Sequence, residues 1–308
     1  MSTPPLFAEK IHDWPSWGRV YQSVSAFTPL AREIYRREGL LFEGLSGCTP
    51  GTNAVFRVGE TVLKIFAPEA SGQSLLDYRV ERLGLERANR LGVSAPRLLA
   101  AGVIEDRYRF PYLIMERLSG VSLGALLESD CLFPQEQRRI GRQLREITDR
   151  MNTPCPGFPS PDVLARALDN PRWEGFLPAF NSRRREYLLR RRWGERVYVH
   201  GDLNPDNLIV GPEGRICLLD FADSCLAPVE YEQALVAVEL FQFRPALLEG
   251  YFGRRSPWEL AQLCLAGLLL HDFGPSVIRE RLDGPEAFPT LESLGNRLEQ
   301  RLAESLCL

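Results

Sequence analysis

A chain of 308 residues is about twice the usual size of one domain, so two domains or a two-lobed enzyme are expected. Its 44% hydrophobic and 25% charged residues are those of a soluble globular protein, which excludes a disordered tail, a collagen-like fibre or a coiled coil. A net charge of −3 leaves no overall electrostatic footprint for nucleic acid.

The N-terminus lacks a basic start followed by an apolar stretch, and the longest apolar run, Leu263 to Leu270, is far short of a membrane span. A cytoplasmic protein with no membrane partner is expected. The seven cysteines, at 48, 131, 155, 217, 225, 264 and 307, form no CxxC pair and mostly sit in apolar patterns. They read as buried thiols in a reducing compartment.

In chain order, residues 28 to 38 read as a helix with Thr28 as N-cap, Pro29 at the first helical position and Gly39 beyond the end. A Gly/Ser/Thr/Pro loop, 44 to 53, leads into a hairpin: Ala54 to Val58, the turn Gly59-Glu60, and a strand carrying Lys64. Of the 37 basic residues only Lys10 and Lys64 are lysine. A chain that otherwise uses arginine has kept a compact ammonium in the middle of that strand.

Residues 73 to 91 predict a helix, and Arg97 to Ile104 and Phe110 to Glu116 two more strands about a polar turn. Near residue 117 the character changes. Helical spacing runs over Pro134 to Met151, and helices are expected across 162 to 192, from about 230 to 270, and near 290 to 305. The expected domains are therefore 1–116, an antiparallel sheet with an embedded helix, and 117–308, mostly helical.

The chemistry concentrates between Val197 and Asp223. An apolar strand enters the polar loop His200-Gly201-Asp202-Leu203-Asn204-Pro205-Asp206-Asn207, and a hairpin of Leu208 to Val210 with Ile216 to Leu219 returns the chain to Asp220. Asp202, Asn207 and Asp220 should converge. A carboxylate plus an amide carbonyl suits Mg²⁺, which prefers oxygen ligands and keeps positions for water or phosphate. A carboxylate five residues before the Asn is placed to accept a proton from an attacking hydroxyl.

These residues resemble those of the aminoglycoside phosphotransferase and choline kinase-like family, small-molecule kinases with the protein-kinase fold. The family's His-Gly-Asp-x-x-x-x-Asn loop is matched by His200, Gly201, Asp202 and Asn207. Its metal motif is matched by Asp220, Phe221 and Asp223. The resemblance covers roughly residues 44 to 240 and implies an α+β, bilobal kinase-like fold with an antiparallel N-lobe sheet and a helical C-lobe. It also implies ATP or GTP and Mg²⁺ as cofactors. Asp202 becomes the catalytic Asp, alongside His200; Asn207 and Asp220 become metal ligands. Lys64 would contact the α- and β-phosphates, with Glu81, or alternatively Glu86, as its partner. Ser46, Thr52 and Asn53 are assigned to the phosphate loop by position, since no Gly-x-Gly-x-x-Gly is present. Met115, Glu116 and Leu118 would offer backbone groups to the adenine. No Walker A sequence precedes Lys64.

Asp272-Phe273-Gly274 spells the protein-kinase metal motif, yet it follows the helical stretch Trp258 to Leu270 and lies 65 residues after Asn207. It is not the hairpin return. Gly274 and Pro275 read as a helix stop and His271 as a packed core histidine. The arginines between 183 and 192 read as one basic face of a helix, either solvated or, as the alternative, a ligand site.

The leading reading is therefore a phosphotransferase that moves the γ-phosphate to a hydroxyl of a small molecule, such as an aminoglycoside, amino alcohol or sugar. The alternative is a nucleotide-binding pseudokinase acting as scaffold or sensor. A protein kinase is disfavoured because no Ala-Pro-Glu element follows Asp220. After residue 225 the chain carries 12 acidic and 7 basic residues, which leaves a cationic acceptor open; Asp223, Glu230, Glu232 and Asp272 are the candidate acceptor carboxylates.

Overall fold

The computed structural model describes residues 5–48, 51–72 and 75–306. The chain divides into two compact units, one taking residues up to Arg90 and again Ala95–Leu118, the other Leu91–Ser94 and the chain from Ser119 onward.

The first unit comprises α1 (Trp14–Gly18), α2 (Val24–Arg37), β1 (Ser46–Gly47), β2 (Ala54–Val58), β3 (Thr61–Ile65), α3 (Leu76–Arg90), β4 (Leu98–Glu105) and β5 (Arg109–Glu116). Its antiparallel sheet has the order β1-β2-β3-β5-β4. The expected hairpin forms across Gly59, whose φ of 57° is the left-handed conformation that a tight two-residue turn needs. Phe56 and Leu63 are buried with Ile114 and Phe110 in a core that also holds Phe7, Trp17 and Phe27. Phe27 lies 4.9 Å from Phe7 and 5.4 Å from Phe56, ring centre to ring centre.

The start of one helix in this unit differs from expectation. Helix α2 starts five residues earlier, capped by Ser23 and not Thr28, and the Ser23 hydroxyl accepts from Ala26 N at 3.3 Å. Thr28 is no cap; its hydroxyl donates to Val24 O at 2.7 Å inside the helix. Pro29 is tolerated in the interior because it is exposed, so water can reach the carbonyl its missing N–H leaves unmatched. The segment before α1 also docks on the sheet. The Leu6 and Phe7 N–H groups donate to the Asp106 carboxylate at 2.9 and 3.0 Å, and Phe7 is fully buried.

The second unit comprises β6 (Val121–Ser122), α4 (Leu123–Glu128), α5 (Pro134–Met151), α6 (Val163–Asp169), α7 (Pro178–Arg190), β7 (Val197–Val199), β8 (Leu208–Val210), β9 (Ile216–Leu218), β10 (Cys225–Ala227), α8 (Glu230–Leu235), α9 (Pro245–Phe252), α10 (Pro257–Leu270), α11 (Gly274–Arg281) and α12 (Leu291–Leu306). Two small antiparallel sheets, β6-β8-β9 and β10-β7, carry the polar loops. Helix α8 runs on into a π-helical turn, Val236–Leu240, and packs against α10. Gly267 makes that crossing close: a methyl there would collide with the Glu230 carbonyl. From Cys264 to Leu270 helix α10 is apolar on every side because it is buried on every side, and the helix packs against both α8 and α12.

Gly274 and Pro275 do not simply stop a helix; they open α11. The arginine run is not one solvated face. Phe180, Arg184 and Leu188, four residues apart along α7, form its buried stripe, and Arg183 and Arg190 pair with Glu186 outside. Arg184 lies 4.7 Å from the Trp173 ring centre and donates to Ala167 O at 2.7 Å; burial lowers its pKa to about 10. Cys225 and Cys264 are buried, whereas Cys48 and Cys131 are exposed. Among the described residues no helix is long and apolar enough to cross a membrane.

Candidate active site

Strand β7 delivers the loop, and β10 returns beside it in antiparallel register, Val199 opposite Cys225. Gly201 has φ 84°, and a methyl there would meet the Asp223 carbonyl, so the two polar loops touch at a position only glycine fills. Asn204 then caps the turn Pro205–Asn207: its Oδ1 accepts from Asp206 N at 2.9 Å and Asn207 N at 3.1 Å.

Asp202, Asn207 and Asp220 come together. Asn207 Nδ2 donates to Asp202 Oδ2 and to the Asp202 carbonyl, each at 2.9 Å, and Asn204 Nδ2 donates to Asp202 Oδ2 at 3.0 Å. Leu219 N donates to Asn207 O at 2.8 Å, which brings the end of the β8–β9 hairpin, and with it Asp220, beside the loop. Asp220 holds φ 55°, a left-handed backbone that Asp tolerates better than most residues. The Asp202 carboxyl is pushed up to about 6. Burial is the main cause, with the nearby Asp220 charge adding, against the stabilising bonds from Asn204 and Asn207.

The donor set fits a hard divalent cation. Both Asn207 Nδ2 bonds turn the amide nitrogen to Asp202, which leaves the carbonyl oxygen Oδ1 as the outward atom, and Asp220 supplies a carboxylate. One amide oxygen and one carboxylate match an ion that keeps several waters.

His200 is built into the scaffold, contrary to its expected place among the catalytic groups. The ring is 1% exposed; Nε2 donates to Leu219 O at 2.9 Å, and Nδ1 accepts from Asp202 N at 3.4 Å. Burial lowers its pKa to about 4, so the imidazole is neutral and both ring nitrogens are engaged.

In the first unit, β3 carries Lys64 and α3 carries Glu81. Lys64 Nζ is 2.6 Å from Glu81 Oε2, whereas Glu86 pairs with Arg82 on the helix exterior. Ser46 lies in β1, its hydroxyl 3.5 Å from Arg57 O. The Thr52 carbonyl accepts from Trp17 Nε1 at 2.9 Å, and Asn53 Oδ1 accepts from Ala67 N at 3.3 Å. Thr49 and Pro50 of that loop lie outside the described residues. At the end of β5, Met115 is buried, and the Glu116 and Arg117 N–H groups are taken by the Arg97 and Glu60 carbonyls. Leu118 closes the unit.

Three of the candidate acceptor carboxylates meet partners within the protein. Glu232 is 2% exposed and accepts from Asn152 Nδ2 at 2.9 Å and from the backbone N–H groups of His200 and Gly201, so it braces the loop from beneath and does not face an acceptor. Burial raises its pKa against those three donors. Asp272 is ion-paired with Arg166, and Glu230 with Arg191 at 3.5 Å. Asp223 contributes its backbone to the approach on Gly201. Asn152, Asn204 and the bracing role of Glu232 escaped sequence reasoning; only Asn204, two residues after Asp202, carried a local signal.

A sheet unit with a buried Lys–Glu pair and a helical unit with this loop and hairpin define a small-molecule phosphotransferase of protein-kinase-like fold. Residues 51–265 match the model of the phosphotransferase enzyme family APH, and the chain belongs to that family. No curated protein matches it. Among solved structures it resembles aminoglycoside phosphotransferase APH(4)-Ia, at 16% identity over 89% of this chain and 97% of that one, with a TM-score of 0.56. Aminoglycoside phosphotransferase APH(3'')-Id from Streptomyces rimosus gives 18% identity, coverage of 80% and 98%, and a TM-score of 0.53. Choline kinase LicA from Streptococcus pneumoniae gives 16%, 91% and 99%, and 0.52. At these identities the likeness is one of fold.

Proposed function

We propose that the protein transfers the γ-phosphoryl group of ATP or GTP, in a Mg²⁺-dependent reaction, to a hydroxyl of a small molecule. The observation that carries this reading is the Asp202 carboxylate, held by the Asn204 and Asn207 amides beside Asp220 and with its pKa raised to about 6. In that state Asp202 is ionised near neutral pH, yet basic enough to accept the proton of an acceptor hydroxyl as it attacks. Asn207 Oδ1 and Asp220 would hold Mg²⁺, which when bound neutralises phosphate charge. Lys64, oriented by Glu81, would meet the α- and β-phosphates. Related structures are complexes with ADP, AMP-PNP or ATP together with hygromycin B or streptomycin, which supports a nucleotide donor and a small-molecule acceptor. Two candidate acceptor carboxylates here are ion-paired with arginine and a third is engaged with backbone amides, so the acceptor panel includes neutral sugars beside amino alcohols and aminoglycosides.

The test incubates the protein with Mg·ATP and that panel and reads phosphorylated product by mass spectrometry. Asp202→Asn and Asp220→Ala should each abolish transfer while keeping a cooperative thermal transition. Phosphorylation persisting in both variants would retire the reading.

A further inference from the structure

The Asp272-Phe273-Gly274 turn is far in sequence from the catalytic loop, yet His271, immediately before it, reaches that loop. Its ring is fully buried. Nε2 is 3.1 Å from the Gly201 carbonyl oxygen, and Nδ1 accepts from Phe273 N at 3.0 Å. Tyr231 covers one side, its ring centre 3.9 Å away, and Phe273 lies at 5.6 Å. A carbonyl can only accept and a backbone N–H can only donate, so one neutral tautomer, protonated at Nε2, satisfies both contacts. Burial lowers the His271 pKa to about 3, in keeping with that neutral form.

The Gly201 carbonyl and the Asp202 N–H are the two polar groups of one planar peptide unit. His271 holds the first, and His200 Nδ1 accepts from the second at 3.4 Å. Asp202 thus hangs from a peptide gripped at both ends by buried imidazoles, one of which comes from 70 residues downstream. We infer that His271 is a positioning residue for transfer: by donating Nε2–H to Gly201 O it fixes the peptide plane from which the Asp202 carboxylate projects. The reason for the turn follows. Phe273 N sets the tautomer that leaves Nε2 as the donor. The inference rests on the reading of Asp202 given above.

The test compares His271→Gln, His271→Asn and His271→Phe in the full chain, with Asp202→Asn as the reference for lost chemistry. A glutamine amide reaches to about the Nε2 position and can donate to Gly201 O. An asparagine amide ends near Nδ1, where it can still accept from Phe273 N but cannot reach Gly201. The assay measures Mg·ATP turnover with water as acceptor, and with whichever panel compound is phosphorylated, for variants that keep a cooperative unfolding transition. The expected result is that His271→Asn and His271→Phe lower kcat roughly ten- to a hundredfold with KM for ATP little changed, and that His271→Gln recovers most of the loss. A residue that merely fills space would not separate Gln from Asn. Wild-type kcat in His271→Asn, or equal loss in His271→Asn and His271→Gln, while Asp202→Asn is inactive, overturns this inference alone. Full turnover in Asp202→Asn overturns both it and the reading beneath it.

Discussion

Lys64 and Glu81 form an ion pair of 2.6 Å with side chains only 7% and 2% exposed, the ammonium from β3 and the carboxylate from α3. At that depth each charge depends on the other, because an unpaired buried charge is far costlier than the pair. Glu81→Ala should therefore lower unfolding stability by about 3–5 kcal/mol in urea denaturation. Replacing both partners with apolar residues, Lys64→Met with Glu81→Leu, should return most of that stability without returning phosphotransfer. Recovery of turnover in the double variant would show the pair to be structural only.

Asp202 predicts a pH profile. Its pKa is raised from 3.8 to about 6, and a base must be ionised, so kcat/KM should rise with pH through about 6 and level off above it. Between pH 3.8 and 6 the folded state binds this proton and the unfolded state does not, so the group's contribution to stability falls as pH rises. Asp202→Asn removes that penalty. It should be more stable than wild type at pH 7.5 by on the order of 2 kcal/mol once partial exposure is allowed for. A Tm at pH 7.5 no higher than wild type contradicts the burial argument.

The two buried imidazoles act in the opposite sense. His200 and His271 have pKa values lowered from 6.5 to about 4 and about 3, so between those limits the unfolded chain takes up protons that the folded chain refuses. Their stabilisation is whole above pH 6.5 and is lost as pH falls towards 4 and 3. From pH 6.5 to 5 each should cost on the order of 2 kcal/mol, offset in part by Asp202. Denaturation midpoints measured across this range should fall more steeply for wild type than for His271→Gln.

Gly201→Ala puts a methyl against the Asp223 carbonyl on a backbone at φ 84°. Relief requires the loop to move away from Asp223, taking the Asp202 peptide with it. Turnover should fall at least as far as in His271→Asn, and stability should drop by about 1–3 kcal/mol. Near-normal kcat in a folded Gly201→Ala protein would mean that this approach does not set the loop's position.

Local features of this chain are legible in its sequence. The β2–β3 hairpin follows from alternating apolar residues about Gly59-Glu60, and α5 runs from Pro134 to Met151 as its spacing of Ile140, Leu144, Ile147 and Met151 predicts. The convergence of Asp202, Asn207 and Asp220 was legible for the same reason, since a short hairpin returns the chain within a few residues of where it left. The start of α2 was misplaced because a good cap at Ser23 outweighs a proline that a solvent-facing position can absorb.

The sequence by itself determined the chemistry of the loop and the elements that carry it, because hydrogen-bonding residues, turn residues and apolar periods act over a few positions. Only the tertiary structure decided which acids are available. Glu230, Glu232 and Asp272 look alike as letters, yet one pairs with Arg191, one accepts backbone N–H groups in the interior, and one pairs with Arg166. It likewise set the packed His271 against the Gly201 carbonyl, and made of Arg184 a buried charge and not a surface one. In each case the deciding quantity is burial beside a partner from a separate segment, and no local pattern encodes which distant group will be waiting there.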